Sequence, residues 1–372
     1  MLRAIQSYLL LFGISLLAAP FVLAQAPPWN GAECSFRLEP RSVIELGDGT
    51  QIKDVGQVVF LGEDRMFVSA RNGPGVDVFT ESGTFLWPVG RSFEGPIDIH
   101  DPGPMSGDNN SIGVLDESTD RILNLDYDGD LIGDARWESG EWSSFITSRH
   151  GYIGYRIKPN RNGVLESSSD SGIRVPEVFS DTHSQAIFLE DPQLPLLAGS
   201  IKNYYFAFPG TPQIFLSAEG RIQRSNRLND VDFRQPASPY RSFFAAELGR
   251  ATGRLPRYLN AISRIVGVYE LKDYVVSITS HDWKHEAPQL SMSVYSKGLL
   301  FLGLVRFSVG FPDRQGRVPV GFRGNSVFFV VDSPVPSVHT PQSASGVALA
   351  EYALIRAEFG SESCQATDSE EP

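Results

Sequence analysis

Cysteine and the short catalytic motifs are what this sequence most clearly lacks. Its 372 residues contain two cysteines. They contain no CxxC pair, no GxSxG nucleophile elbow and no glycine-rich phosphate loop. Thiol redox chemistry, acyl transfer at such an elbow and nucleotide binding therefore have no support in the sequence.

Basic residues are also fewer than acidic residues. Lys and Arg total 32 against 44 Asp and Glu, which gives a formal net charge of -12. An acidic chain repels phosphate backbones and anionic lipid surfaces. Nucleic acid and anionic membrane surfaces are therefore excluded as expected partners.

Long apolar runs are absent beyond the N-terminus. Arg3 precedes an apolar stretch from Tyr8 to Ala24, which Pro20 interrupts and small residues follow. This pattern predicts a cleavable signal peptide over residues 1–26 and a periplasmic or secreted protein without a transmembrane segment after cleavage. An uncleaved anchor is the alternative.

Glycine-centred hairpins recur along the remaining chain. The stretch Val76–Pro96 (VDVFTESGTFLWPVGRSFEGP) predicts two strands around a tight turn, and a similar pattern returns at Arg121–Trp137, Pro212–Leu228 and Leu290–Phe307. A repeat of about 45 residues with four strands each is typical of a β-propeller. The predicted fold is all-β, a six-bladed β-propeller over residues 35–360, with seven blades as the alternative.

Six repeat units account for this domain. They span Val55–Gly90, Pro96–Trp137, Ser144–Phe179, Leu194–Leu228, Ile262–Phe307 and Val318–Phe359. The second unit is expected to open with a strand at Pro96–His100. The segment Ser35–Leu46 is expected to supply an outer strand of the last unit, which closes the ring and removes an exposed edge.

The two cysteines, Cys34 and Cys364, lie near the two ends of the mature chain. A propeller brings its ends together, and an oxidising compartment permits pairing, so a disulfide between them is predicted. Two unpaired thiols are the alternative. Residues 361–372 form an acidic tail that is expected to be disordered beyond Cys364.

The stretch Val76–Pro96 resembles the blade end of secreted bacterial six-bladed propellers of the NHL and TolB-like kind. The matching residues are Phe79, Gly83, Gly90, Arg91, Glu94, Gly95 and Pro96. The other repeats lack the Gly-Arg step, which is the pair Gly90-Arg91 at the end of the first unit. The resemblance implies the fold and no particular reaction.

Long loops are expected to gather on the face opposite the hairpin turns, and such loops commonly carry function. The longest is the insertion at residues 229–261, where Phe243–Leu248 is the only stretch with a helical pattern. We expect a monomeric binding protein, without a cofactor, that engages a protein, peptide or sugar partner through this face. The candidate contacts are Arg241, Phe243, Phe244, Arg254, Tyr258, His281, Asp282, His285 and His339.

An enzyme is the alternative, namely a propeller hydrolase, lactonase or lyase with Ca²⁺, Zn²⁺ or an acid/base pair at the channel mouth. Its candidate residues are His281, Asp282, His285, Asp332 and His339. His281 and His285 have i, i+4 spacing, but no helix is expected there and no HExxH motif is present. The acidic run Asp126–Asp130 resembles the start of a calcium loop, yet hairpin geometry accounts for it.

Overall fold

The computed structural model describes residues 33–46, 55–70, 73–91, 97–107, 110–136, 141–148, 151–157, 163–168, 173–177, 182–188, 194–228, 230, 233–235, 243–281, 289–307, 320–331 and 353–365. The expected signal peptide lies outside these ranges. Within them, no helix has the length and apolar character needed to cross a bilayer.

Short strands with buried apolar residues make up most of the described chain. They are β1 (Glu33–Glu45), β2 (Val55–Leu61), β3 (Arg65–Ala70), β4 (Val76–Thr80), β5 (Phe85–Val89), β6 (Pro102–Gly107), β7 (Ile112–Asp116), β8 (Arg121–Leu125), β9 (Leu131–Arg136), β10 (Glu141–Ser148), β11 (Gly151–Ile157) and β12 (Gly163–Ser167). The second half of the chain adds β13 (Leu197–Gly199), β14 (Asn203–Ala207), β15 (Gln213–Ala218), β16 (Arg221–Arg227), β17 (Ser263–Glu270), β18 (Val275–His281), β19 (Gln289–Tyr295), β20 (Phe301–Phe307), β21 (Gly321–Arg323), β22 (Ser326–Val331) and β23 (Ala353–Gln365).

These strands form six antiparallel sheets within the described residues. Five have four strands, in the orders β2-β3-β4-β5, β6-β7-β8-β9, β13-β14-β15-β16, β17-β18-β19-β20 and β1-β23-β22-β21, and one has three, β10-β11-β12. We number the sheets one to six in chain order, so the three-stranded sheet is the third and β1 belongs to the sixth.

Most neighbouring sheets contact one another through their innermost strands. β2 contacts β6, β6 contacts β10, β10 contacts β13, β13 contacts β17, and β21 returns to β2, whereas the fifth and sixth sheets contact each other through their outer strands β20 and β1. The backbone N–H of Val58 donates to the carbonyl of Val320 over 2.7 Å, so the last sheet meets the first. This is the all-β arrangement of a β-propeller.

The closing strand is confirmed. β1 pairs with β23 as the outermost strand of the sixth sheet, so the N-terminal segment completes a sheet made by the C-terminal end. Cys34 and Cys364 are direct register partners in this pairing. Their side chains lie outside what the structure describes.

Two expectations about elements are wrong. The opening strand of the second sheet is Pro102–Gly107 and not Pro96–His100. A second helical region exists, since Thr182–Phe188 forms a helix where a loop was expected. The strand β23 continues to Gln365, and the remainder of the acidic tail lies outside the described residues.

Three helices complete the described elements: α1 (Thr182–Phe188), α2 (Phe243–Ala251) and α3 (Arg254–Leu259). The strand directions place all three on one face, together with the links between sheets, and α1 contacts α2. We call these helices the helical cap and this side the cap face. The opposite side, which carries the hairpin turns such as the one at Gly83, is the turn face.

Candidate functional site

The helical cap is seated on the apolar core of the fourth and fifth sheets. Ala246 of α2 and Leu255 and Leu259 of α3 are buried in the same cluster as the strands beneath them. Gly253 connects the two helices with a φ of 66°, a left-handed conformation that suits glycine. Burial of these small and apolar residues fixes the cap to the sheets.

Helix α1 is fastened by its own contacts. Ala186, Ile187 and Phe188 are buried in that cluster. The Ser184 hydroxyl accepts the backbone N–H of Gly210 over 3.0 Å. Seven residues make a marginal helix in isolation, so these contacts and not intrinsic propensity stabilise α1.

The outer surface of the cap is basic and partly apolar. Leu248 is 57% exposed, which is unusual for a large apolar side chain in this fold. Arg250, Arg254 and Arg257 are also exposed. None of the three arginines forms an ion pair with a residue that the structure describes. Among the described side chains, the cap therefore presents three arginines without an ionic partner on an acidic protein.

A buried polar cluster lies at the root of the insertion that carries α2 and α3. The Nε2 atom of His281 lies 3.0 Å from Oδ2 of Asp230, and the Ser291 hydroxyl donates to the same oxygen over 2.5 Å. His281 Nε2 is also 3.0 Å from the Ser291 hydroxyl. All three side chains are buried, with His281 only 2% exposed. Asp230 thus ties the start of the insertion to β18 and β19.

Ser263 extends this cluster to β17. Its hydroxyl lies 2.9 Å from Nδ1 of His281, on the other side of the ring. The same hydroxyl accepts the backbone N–H of Arg234 over 2.9 Å, and the Ser263 N–H donates to the Arg234 carbonyl. We call Asp230, Ser263, His281 and Ser291 the anchor cluster, because it holds both ends of the segment that begins the insertion.

The anchor cluster contains the residue types of a hydrolase triad, but its arrangement fits a structural role. The carboxylate of Asp230 and the hydroxyl of Ser291 meet the same imidazole nitrogen, whereas a triad needs them on opposite nitrogens. Ser263 occupies the opposite nitrogen, yet it is 1% exposed and already accepts a backbone N–H. A buried network of this kind rigidifies the elements that it joins.

The predicted contact residues divide into three groups. Arg254 is exposed and Tyr258 half-buried on α3, where the insertion was expected to present them, whereas His281 is buried in the anchor cluster. Phe243 and Phe244 belong to α2, but their side chains are outside what the structure describes. Arg241, Asp282, His285 and His339 lie outside the described residues, as does Asp332, a candidate of the enzyme alternative.

Sequence reasoning missed Asp230, Ser263 and Ser291, as well as the exposed Leu248, Arg250 and Arg257. Asp230 and His281 are far apart in sequence, and no local sequence pattern predicts that they are in contact. The arginines could have been found from the sequence, because three of them lie within a stretch of eight residues in a chain that is acidic overall.

Asp126, in the acidic run that resembles a calcium loop, and the buried Asp116 both have hydrogen-bonding roles in turns. Oδ1 of Asp126 accepts the backbone N–H groups of Asp128 (3.0 Å) and Asp130 (2.9 Å). Asp116 accepts the Asp101 backbone N–H and the Ser118 and Thr119 hydroxyls. In the described part of the chain, no group of three or more His, Cys, Asp or Glu side chains is placed to hold a metal ion.

The Gly-Arg step at the end of the first sheet has a structural function. Gly90 has a φ of 72°, and a Cβ there would lie 2.6 Å from Ile99. The next residue, Arg91, forms an ion pair with the buried Asp77 over 2.7 Å and donates to the Pro74 carbonyl. Glycine is required for the turn and the close approach, and arginine neutralises a buried carboxylate.

No protein-family model and no curated protein matches the sequence. Solved structures do resemble the fold. One is a protein of Bacteroides fragilis named for its expected export, with a TM-score of 0.56, 12% identity and coverage of 88% of this chain and 96% of that one. Another is a DUF4221 family member from Bacteroides vulgatus, with a TM-score of 0.56, 9% identity and coverage of 88% and 99%.

These similarities concern the fold alone, because the identities are so low. The WD40 repeats of RRP9 also align, at a TM-score of 0.46 and 12% identity.

Proposed function

We propose that this protein is an exported β-propeller that binds a protein or peptide partner with an acidic surface through its helical cap. The observation that supports this most directly is the surface of α2 and α3, where Arg250, Arg254 and Arg257 are exposed beside the exposed Leu248 and have no ionic partner among the residues that the structure describes. Arginine and aromatic residues are enriched at protein interfaces, and Tyr258 lies half-buried on the same short helix.

The anchor cluster reduces the conformational entropy that the cap would lose when it binds a partner. A binding helix on a loose insertion would lose conformational entropy on association, which weakens binding. Here Asp230 fixes the beginning of the insertion to β18 and β19, and Leu255 and Leu259 fix α3 to the core. The cap is therefore held in place before a partner arrives.

Site-specific photocrosslinking tests the proposal. A photoreactive residue at Leu248 should form a discrete adduct in the cell envelope or medium of the producing cells. The adduct should disappear in Arg250→Ser/Arg254→Ser/Arg257→Ser but persist in the charge-matched control Arg136→Ser/Arg227→Ser/Lys272→Ser. A probe at Ile132, which is 54% exposed on β9, should give no such adduct. Equal adducts from both probe positions would refute a partner site on the cap.

Export is the second part of the proposal. The apolar N-terminal stretch supports cleavage near residue 26 and a periplasmic or extracellular location, and a structural neighbour is named for the same expectation. The intact mass of protein recovered outside the cytoplasm tests this directly. A mass that retains residues 1–26 would refute cleavage.

We also propose a six-bladed ring related to NHL and TolB-like propellers, with the third sheet as the irregular blade. The Ser167 hydroxyl of β12 donates to the Ile173 carbonyl over 2.8 Å, which supports residues 173–177 as the outer edge of this blade. The ends of the ring are held by Glu81, which pairs with Arg323 (2.8 Å) and Arg356 (3.1 Å) of the sixth sheet.

A disulfide between Cys34 and Cys364 would complete this closure. Directly opposed residues on antiparallel strands have Cα atoms about 4.5–5.5 Å apart, within the range that a disulfide requires. The register of β1 and β23 opposes these two residues. Peptide mapping without reduction should recover the two cysteines in one linked peptide, and recovery of two free thiols would refute the bond.

The enzyme alternative, with Ca²⁺ or Zn²⁺ or an acid/base pair, gains no specific support. Of its five candidate residues, His281 is the one that the structure describes, and it is buried in the anchor cluster. Metal content after dialysis remains the test of this alternative, since a stoichiometric tightly bound ion would revive it.

A further inference from the structure

A second candidate site lies on the turn face, between the third and fourth sheets. A cleft of about 590 Å³ opens there. Its walls come from the β13–β14 turn, the β15–β16 turn and the segment 173–177. This volume falls within the range of small-molecule sites in proteins, which is about 300–1,000 Å³.

Close packing of backbone shapes the cleft. Glu219 and Gly220 form the β15–β16 turn with φ values of 51° and 74°. A Cβ at Gly220 would lie 2.4 Å from the Cβ of Arg174, so the turn and the segment of the third sheet are in direct contact. The relative position of Arg174 and Arg221 therefore depends on backbone packing and not only on flexible side chains.

The cleft is basic, in contrast to the whole protein. Arg174, Lys202 and Arg221 line it and are exposed, and the one acidic residue among its lining residues is Glu219. No ion pair joins these three cations to any part of the chain that the structure describes. A concentration of free cations in a concave site attracts an anion, and arginine is well suited to a carboxylate.

The remaining lining residues narrow the ligand class. Ile173 and Ile201 are half-buried and give the cleft two apolar surfaces. Glu219 supplies carboxylate acceptors, and Gln223 supplies an amide that can both donate and accept. Acceptors beside cations are unfavourable for a densely charged anion such as phosphate, but they suit a ligand that carries hydroxyl groups next to one carboxylate.

We propose that this cleft binds an acidic sugar, either free or as the end unit of an acidic glycan. Its carboxylate pairs with Arg221 and the neighbouring cations, its hydroxyls meet Glu219 and Gln223, and the apolar face of its ring packs on Ile173 and Ile201. This site is separate from the helical cap, which lies on the opposite face.

Calorimetric titration of the mature protein with glucuronate, glucose and inorganic phosphate tests the assignment. Glucuronate should bind, with a dissociation constant no weaker than about 1 mM, and neither glucose nor phosphate should bind at that concentration. Arg221→Ala should weaken glucuronate binding by about tenfold or more, since a hydrogen bond to a charged group is worth at least that factor.

Arg227→Ala is the matched control. Arg227 is exposed at the other end of β16, about 20 Å away at 3.3 Å per residue, and its loss should leave the affinity unchanged. Lys202→Ala provides a second variant, with an expected loss in the same direction, should Arg221→Ala fail to fold. Absence of glucuronate binding, equal binding of phosphate, or an affinity unaffected by Arg221→Ala and Lys202→Ala would each overturn the proposal.

Discussion

Two buried carboxylates in this fold, Asp77 and Asp230, show how similar groups serve different purposes. Both side chains are fully shielded from solvent. Asp77 lies in the first sheet and pairs with Arg91, which follows the last strand of that sheet. This ion pair therefore stabilises the ring itself. Asp230 pairs with His281 and Ser291 and fastens the insertion that carries α2 and α3. Buried polar contacts therefore fix the scaffold in one region and present a surface in the other.

The largest expected effect follows from removal of the cation beside Asp77. Arg91→Ala leaves a buried carboxylate without its partner, and it should lower the free energy of unfolding by about 3–5 kcal/mol. Urea denaturation measures this loss. The control is Arg121→Ala, whose partner Asp134 is largely exposed and whose loss should cost no more than about 1 kcal/mol. Equal losses in the two variants would contradict the assigned role of Arg91.

A smaller and local effect is expected at Asp230. Asp230→Ala removes the acceptor of the His281 ring and the Ser291 hydroxyl, which should cost about 1–3 kcal/mol. Hydrogen exchange should then accelerate at the amides of 243–259, while the amides of β3 and β4 keep their protection. Asp128→Asn, at an exposed turn position, serves as the control. Faster hydrogen exchange at amides throughout the ring would show that the anchor cluster stabilises the whole fold and not the cap in particular.

Asp77 and Asp116 should respond to pH in opposite directions. Burial raises the pKa of Asp77 above its ordinary 3.8, against the attraction of Arg91. Burial would raise that of Asp116 as well, but hydrogen bonds from Thr119, Asp101 and Ser118 hold this pKa below 3.8. The contribution of Asp77 is therefore present below pH 3.8 and is lost as the pH rises through its raised pKa. The contribution of Asp116 is present above pH 3.8 and is lost as the pH falls through its lowered pKa.

Unfolding free energies of the wild type, Asp77→Asn and Asp116→Asn between about pH 3 and pH 7 test this difference. The difference in unfolding free energy between the wild type and Asp116→Asn should grow as the pH rises. The difference between the wild type and Asp77→Asn should shrink over the same interval. Two differences that change in the same direction would contradict the assigned environments.

The smallest effect is expected next to the anchor cluster. Thr279 lies two residues before His281 on β18 and is fully buried. Its hydroxyl has no hydrogen-bond partner among the residues that the structure describes. Thr279→Val should therefore be neutral or stabilise the protein by up to about 1 kcal/mol, whereas Ser263→Ala, which removes a bonded hydroxyl, should destabilise it. A large loss in Thr279→Val would reveal a partner for that hydroxyl.

Local patterns allowed much of the scaffold to be predicted. The turn glycines Gly83, Gly129 and Gly220 have φ values of 90°, 84° and 74°, as tight hairpins need. In the fifth sheet the corresponding turn places Leu299, and not Gly298, in the left-handed region. The closing strand β1 was also predicted, because an outer strand from the N-terminal segment closes the ring and removes an exposed edge.

The elements that were missed depend on long-range contacts. β6 has the sequence PGPMSG, which is a poor strand pattern. It is held by the Gln57 side chain, whose amide bonds both the N–H and the carbonyl of Met105. The helix α1 forms because the core buries one of its faces, and Asp230 meets His281 only after two sheets have folded. None of these contacts leaves a local signal in the sequence.

The coupling between the anchor cluster and the cap surface is tested most directly by photocrosslinking from Leu248 in the Asp230→Ala variant. If the anchor cluster holds the cap for binding, this variant should remain folded, as judged by its urea midpoint, and should lose most of the Leu248 adduct, while Asp128→Asn keeps it. A folded Asp230→Ala protein with an undiminished adduct would contradict the account.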